Sequence, residues 1–359
     1  DEGWLVPHFE KMLYDQAQFA INALEARQAS GDERFAWMAR DIFDYVAREL
    51  TSPAGGFHTA EDADSETSGT GVPPVNPDHR RDADATPETG HTQTVEGAFY
   101  VWTAAELRAV LGGDFHFFAA HFGVEAGGNV PAPLDPHGEL RGRNILAQRR
   151  PLAETAKQLS LKVEEANERL VAALGLLRAR RAQRPRPPLD DKVITANNGL
   201  MISALAKAHQ VLGDDTYLAA ATRAAGFIER ELFDAKRGVL FRGWRQGRGA
   251  TEGFAEDYAF LIQGLLDLHE AGFDGRWLQW AERLQAKMDE LFWDEARGGY
   301  FNSAATDPHL VLRLKEDYDG AEPAPSSVAA RNLLRLGSVL HDEALLARGR
   351  RTIEAFRAQ

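Results

Sequence analysis

Asn198–Leu212 reads NGLMISALAKAHQVL, and Tyr258–Ala271 reads YAFLIQGLLDLHEA. In both, apolar residues occupy every helical face, the pattern of a helix surrounded by protein. Met12–Ala26 (MLYDQAQFAINALEA) and Val328–Leu340 (VAARNLLRLGSVL) read the same way. Each is followed by a helix with one apolar stripe. After Met12–Ala26 the stripe is Phe35, Met38, Ile42, Val46 and Leu50; after Asn198–Leu212, Leu218, Ala221, Ala225, Ile228 and Leu232; after Tyr258–Ala271, Trp277, Ala281, Leu284, Met288 and Leu291. Such helices pack one face inward from outside. A weaker partner, Glu343 to Phe356, follows the last.

The outer helices share an exit. Leu50 leads to Ala54–Phe57 (AGGF), Leu232 to Arg237–Phe241 (RGVLF) and Leu291 to Arg297–Phe301 (RGGYF). Glycine supplies the left-handed turn, and the aromatic residues begin a short strand. From Asn198 to Tyr258 is one period of about 60 residues, long enough to signal a repeat architecture. Inner helix, outer helix, turn and short hairpin, repeated, predict an all-α, α/α toroid with short β-hairpins between helical repeats. The one expected domain spans 1–359, truncated at both ends. Thr103–Phe122 predicts two short helices broken at Gly112-Gly113, and Leu152–Arg181 one or two more, ending in a basic run, Arg178–Arg186. Residues 67–94 hold almost no large apolar side chain and predict a disordered surface insertion.

Composition removes several function classes. The chain of 359 residues has no Cys, which excludes disulfides, thiolate metal sites and a Cys nucleophile. Lys+Arg 41 against Asp+Glu 54 gives −13, a poor match for nucleic acid or an anionic membrane surface. No apolar run approaches the ~20 residues of a membrane span. The expected location is cytoplasmic. Gly-rich phosphate loops, HExxH and Gly-x-Ser-x-Gly are all absent from the sequence. No metal or cofactor is expected.

What remains is polar chemistry at the starts of the inner helices. His8, Glu10, Tyr14 and Asp15 precede or open the first. Glu61, Asp62, Asp64 and Glu66 form an acidic loop without calcium-loop spacing. Asp190-Asp191-Lys192 and Asn197-Asn198 precede the second inner helix, and Glu256-Asp257-Tyr258 opens the third. Arg313, Lys315, Asp317, Asp319, Glu322 and Ser326 lead into the last. Any one of these is an ordinary helix cap. In a closed ring they converge on one rim. Carboxylates with Phe99, Tyr100, Trp102 and Trp244 nearby suit a sugar: rings stack on its faces, and acids bond hydroxyls or serve as acid and base. The catalytic candidates are Glu10, Asp15, Glu61, Asp62, Asp257 and Asp317. The substrate-binding candidates are His8, Tyr14, Trp102, Asn198, Tyr258 and Arg313. The expected partner is a small-molecule or oligosaccharide ligand. His209 and His269, at matching helix ends, read as structural.

The string Trp4–Asp15 (WLVPHFEKMLYD), with Ala60–Glu66 (AEDADSE), Glu96–Thr103 (EGAFYVWT), Asp190–Lys192 (DDK), Asn198–Ile202 (NGLMI) and Asp257–Ala259 (DYA), closely resembles the YyaL-type, or spermatogenesis-associated protein 20, family. The match runs in order from residue 1 to about 340. The resemblance implies a thioredoxin-like domain in the full-length chain and a six-hairpin toroid like those of sugar 2-epimerases and glycosidases, of which this chain is the toroid portion. It also implies departures from the family pattern at Asn197, where Trp is usual, and at Ala324 and Ser326, where Ser and Asn are usual. Three readings stay open. The first is glycoside hydrolase-like acid/base chemistry, which needs a carboxylate pair. The second is a sugar 2-epimerase, for which only His8 offers a rim base. The third is a non-catalytic binding module, which predicts no strongly raised carboxyl pKa.

Overall fold

The structure is a computed structural model and describes residues 5–66, 94–305 and 310–357. The expected disordered insertion lies outside the described residues, apart from Thr94, which belongs to a strand. Helices run in the order α1 (Leu13–Ser30), α2 (Glu33–Tyr45), α3 (Ala104–Leu111), α4 (Phe115–Phe122), α5 (Leu152–Gln158), α6 (Val163–Arg181), α7 (Thr195–Leu212), α8 (Asp215–Glu231), α9 (Ala255–Gly272), α10 (Gly275–Phe292), α11 (Pro325–Leu340) and α12 (Glu343–Ala355). Where the sequence reads one domain over 1–359, the chain divides into two compact units. Unit 1 is Asp1–Glu10 with Glu61–Leu189, and unit 2 is Lys11–Ala60 with Asp190–Gln359.

Unit 2 is a row of four helical hairpins. The inner helices α1, α7, α9 and α11 pack side by side in that order, and each carries its outer partner, α2, α8, α10 or α12. Helices α7 and α9 are buried on nearly all faces. Their backbones meet at Gly199 and Gly264: a Cβ on Gly199 would stand 2.5 Å from the carbonyl carbon of Phe260, and one on Gly264 would stand 2.5 Å from the oxygen of Gly199. The all-round apolar reading fails for α1, which buries Leu13, Ala17, Ala20, Ala23 and Leu24 but leaves Phe19 62% exposed.

The outer stripes of α8 and α10 are buried as the spacing predicts, except that Leu218 and Leu291 are only partly so. On α2 the buried line is shifted by a residue, to Ala36, Ala39 and Phe43 before Val46 and Leu50, and Met38 faces solvent. Small Ala side chains let α2 approach closely, which outweighs the larger apolar residues beside them. Every inner-to-outer link uses one device. A residue in the left-handed region ends the inner helix, and an Asp caps the outer one. The pairs are Gly31-Asp32, Gly213-Asp214, Phe273-Asp274 and His341-Asp342. Each Asp accepts a backbone N–H from two residues ahead. His209 and His269 place Nδ1 at 3.3 and 3.1 Å from the carbonyl oxygens of Asp214 and Asp274, so both are structural, as expected.

The predicted exits are present. Phe233–Asp234 pairs antiparallel with Val239–Leu240, turning at Gly238 (φ 69°). Trp293 bridges Tyr300 and Thr51 bridges Phe57 in the equivalent places.

Unit 1 holds α3 to α6. Thr103 and Glu106 cap α3 reciprocally. The break at Gly112-Gly113 and the division of Leu152–Arg181 into two helices agree with the sequence reading. Two strands, Asp64–Glu66 and Thr94–Glu96, pair antiparallel.

Candidate carboxylate site

In unit 2 the starts of three inner helices bring carboxylates within electrostatic range of one another. Asp15 lies in the first turn of α1, Glu256 and Asp257 in the first turn of α9, and Glu322 just before α11. Arg242, in the hairpin preceding α9, pairs with Glu256 at 2.5 Å and reaches Asp257 at 3.5 Å. Glu322 is half-buried. Burial pushes its carboxyl up to about 7; Glu256, Asp15 and Glu316 add to the push, and Arg242 opposes it.

Beside this cluster a cavity of about 350 Å³ opens among all four inner helices, lined by Gln18 and Asn22 of α1, Lys207 of α7, Gln263 of α9 and Arg331 of α11. That volume falls within the range of small-ligand sites. Pro323, next to Glu322, lines the same cavity. Gln18 donates to the carbonyl of Ala321 at 2.6 Å and so holds the segment that carries Glu322 against α1.

Several sequence candidates prove to be framework. Asp257 is fully buried and accepts hydrogen bonds from the backbone N–H of Ala196 (3.0 Å) and of Phe254 (2.9 Å). Burial raises its carboxyl to about 7, against Arg242 and these N–H donors. Asn198, buried, accepts from the N–H of Phe57 at 2.8 Å and donates to that residue's carbonyl at 3.0 Å. The Tyr258 hydroxyl accepts from the N–H of Leu240 at 2.9 Å, with its ring in the core. Arg313 donates to the carbonyls of Ser303 and Leu291, both at 2.9 Å, and covers the Phe301 ring. These four have spent their polar groups inside the fold. Tyr14 and Asp15 are half-buried at the start of α1. Asp317 is exposed and lines a different cavity.

The departures from the family pattern also turn inward. Ala324 and Ser326 are buried, and the Ser326 hydroxyl accepts from the N–H of Tyr300 at 3.2 Å. Asn197 is buried in the first turn of α7.

Unit 1 holds the remaining candidates. His8 is exposed and stands 3.4 Å from Glu10. Glu96 lies across the strand pair from Asp64. Burial, then Asp64, Glu10 and Glu139, push its carboxyl above the ordinary range, and His8 opposes them. Glu61 is buried, and Arg186 donates to both its oxygens, at 3.1 and 2.8 Å. Asp62 caps its own turn, accepting from the N–H of Ala63 at 2.7 Å. Trp102 is buried under the guanidinium of Arg184, 4.0 Å from the ring centre. A buried indole under an arginine offers no face for a sugar, so Trp102 is framework too.

Arg242 stands in this cluster but is not among the sequence candidates, because no helix start marks it. Glu256 and Glu322 stood in the rim motifs without being singled out. Among the described residues no three His, Asp or Glu side chains converge as metal ligands, and no helix is long and apolar enough to cross a membrane.

No family model matches the chain. Human spermatogenesis-associated protein 20 is 44% identical over 355 residues, which cover 94% of this chain and 42% of that protein. An uncharacterized protein of Caenorhabditis elegans is 36% identical over 355 residues, 95% of this chain and 46% of that protein. The chain therefore spans less than half the length of these curated relatives. The solved cellobiose 2-epimerase from Spirochaeta thermophila superposes on 98% of this chain and 60% of its own, with a TM-score of 0.51 at 10% identity. That likeness speaks to fold alone, and the fold is the all-α (α/α)6 toroid with short β-hairpins between its helical repeats. With the motifs in order along nearly its whole length, the chain is similar to the spermatogenesis-associated protein 20 family over the part of those proteins that it spans.

Proposed function

We propose that unit 2 carries a carbohydrate-active site with glycoside hydrolase-like acid/base chemistry. Glu322 is its proton donor, and Asp15 or Glu256 is the opposing carboxylate. The observation that carries this reading is Glu322 itself. It is a half-buried carboxyl whose pKa lies near 7, beside two further acids and the mouth of a cavity walled by amides and charged groups. A general acid works best when its pKa lies near the working pH. A binding module without turnover has no need of such a group. Asp257 leaves the catalytic set and becomes the residue that positions Glu256. Glu10, Glu61 and Asp62, in unit 1, have no role in this proposal.

A sugar 2-epimerase is the second reading. It needs a general base on the rim, and the acids of unit 2 are the groups available to it. The thioredoxin-like domain expected in the longer polypeptide would then be a neighbour of this site, not its chemistry, since this chain has no Cys.

The test is a panel of neutral mono- and oligosaccharides. It scores binding by thermal shift, bond cleavage by the release of reducing ends, and epimerisation by chromatography. Cleavage lost in Glu322→Gln supports the hydrolytic version. A flat response in all three assays removes the proposal.

A further inference from the structure

The basic run at the end of α6 has no part in the site above. Its arginines are not equivalent. Arg184 donates to the carbonyls of Phe99 and Val101, each at 2.8 Å, and pairs with Glu106. Arg186 is held by Glu61. Arg180 donates to Gln183 at 3.0 Å. Arg181 differs from all of these. Its guanidinium lies 5.5 Å from the ring centres of both Phe99 and Tyr100, and it makes no hydrogen bond or ion pair among the described residues. Contact with aromatic rings does not satisfy the N–H donors of a guanidinium.

We propose that Arg181 binds an oxyanion: a phosphate or carboxylate group carried by a small molecule. Three observations support the site. A half-buried guanidinium without a counter-charge is costly, and proteins normally offset that cost with a carboxylate. Among the described residues, the carboxylate that acts on Arg181 is Glu61, already bonded by Arg186. Burial pushes the Arg181 pKa below the guanidinium range; Arg178 and Arg186 add to the push, and Tyr100 and Glu61 resist it. An incoming anion at Arg181 offsets the crowding of its positive charge by Arg178 and Arg186. The end of α6 contributes about half a negative charge, which these groups outweigh. Contact with the two rings restrains the side chain in advance, so less side-chain entropy is lost on binding than for a free arginine. Planar, paired donors suit phosphate and carboxylate alike.

The test is calorimetric titration of the protein with inorganic phosphate and, separately, with glucuronate, at constant ionic strength so that screening does not change. Saturable binding in the millimolar range is expected, weakened at least tenfold in Arg181→Gln and less in Arg181→Lys, which keeps the charge but loses the fork. Tighter binding of phosphate points to a phosphorylated ligand, and tighter binding of glucuronate to a carboxylated one. If Arg181→Gln fails to fold, the Arg181→Lys result decides. Two results overturn the proposal: no binding of either anion up to ~20 mM, or wild-type affinity in the variant that is measured. The outcome is independent of the sugar assays, because it concerns unit 1 alone.

Discussion

Glu256 and Asp257 are neighbours in sequence and opposites in setting. Glu256 is partly exposed and reaches out to Arg242 at 2.5 Å, whereas Asp257 is fully buried and binds the N–H of Ala196, tying the start of α9 to the start of α7. The two acids therefore answer to different measurements. Asp257→Asn sets an amide N–H₂ against a backbone donor and should cost about 2–4 kcal/mol in denaturant unfolding. Glu256→Gln should change stability by less than ~1 kcal/mol, as for other partly exposed pairs, while lowering any sugar turnover. Equal stability losses in the two variants would contradict this division.

The contact between α7 and α9 admits no side chain at Gly199. In Gly199→Ala the new Cβ meets the backbone of Phe260 at 2.5 Å and of Leu261 at 2.6 Å. Backbone cannot rotate away as a side chain can, so a loss of about 2–3 kcal/mol is expected. It should appear as a lower denaturation midpoint with an unchanged slope.

Phe273 offers a change in the other direction. It occupies the left-handed link where two of the four repeats have Gly, with φ 55° and its side chain 84% exposed. Phe273→Gly relieves a left-handed backbone cost of about 1–2 kcal/mol against a smaller entropic loss in the unfolded chain. The melting temperature should rise by a few degrees. A fall would mean that the phenyl ring makes a contact worth more than the strain.

Stability should also depend on pH in a defined direction. Asp257 rises from 3.8 and Glu322 from 4.5, both to about 7. Between those limits the folded chain keeps protons that the unfolded chain releases, so this contribution is largest near pH 4 and is lost as pH rises through 7. Glu322→Gln should flatten that slope between pH 5 and 7.5, read from urea midpoints across the range. An unchanged slope would place the Glu322 carboxyl in the ordinary range.

How much of this was legible in the sequence depended on the kind of signal. The cores of α7 and α9, the outer stripes of α8 and α10 and the glycine exits all follow from local periodicity. The shifted stripe of α2 was not legible, because spacing cannot tell whether Phe35 and Met38 or the smaller Ala36 and Ala39 face α1. The polar residues do open the inner helices, but spacing did not show which of them bind backbone inside the fold. Asn198, Asp257 and Tyr258 turn inward to bind backbone, and only the partner segments reveal this. Glu322 gains its character from burial first and then from Glu256 and Asp15, far away in sequence, so no local motif marks it.

The most direct test of the central claim is the rate of reducing-end release by wild type and by Glu322→Gln on whichever oligosaccharide the wild-type protein binds. Loss of a general acid should slow the reaction about 10²–10⁴-fold while leaving binding within a few fold. Turnover by Glu322→Gln at the wild-type rate would contradict the assignment of Glu322 as the proton donor.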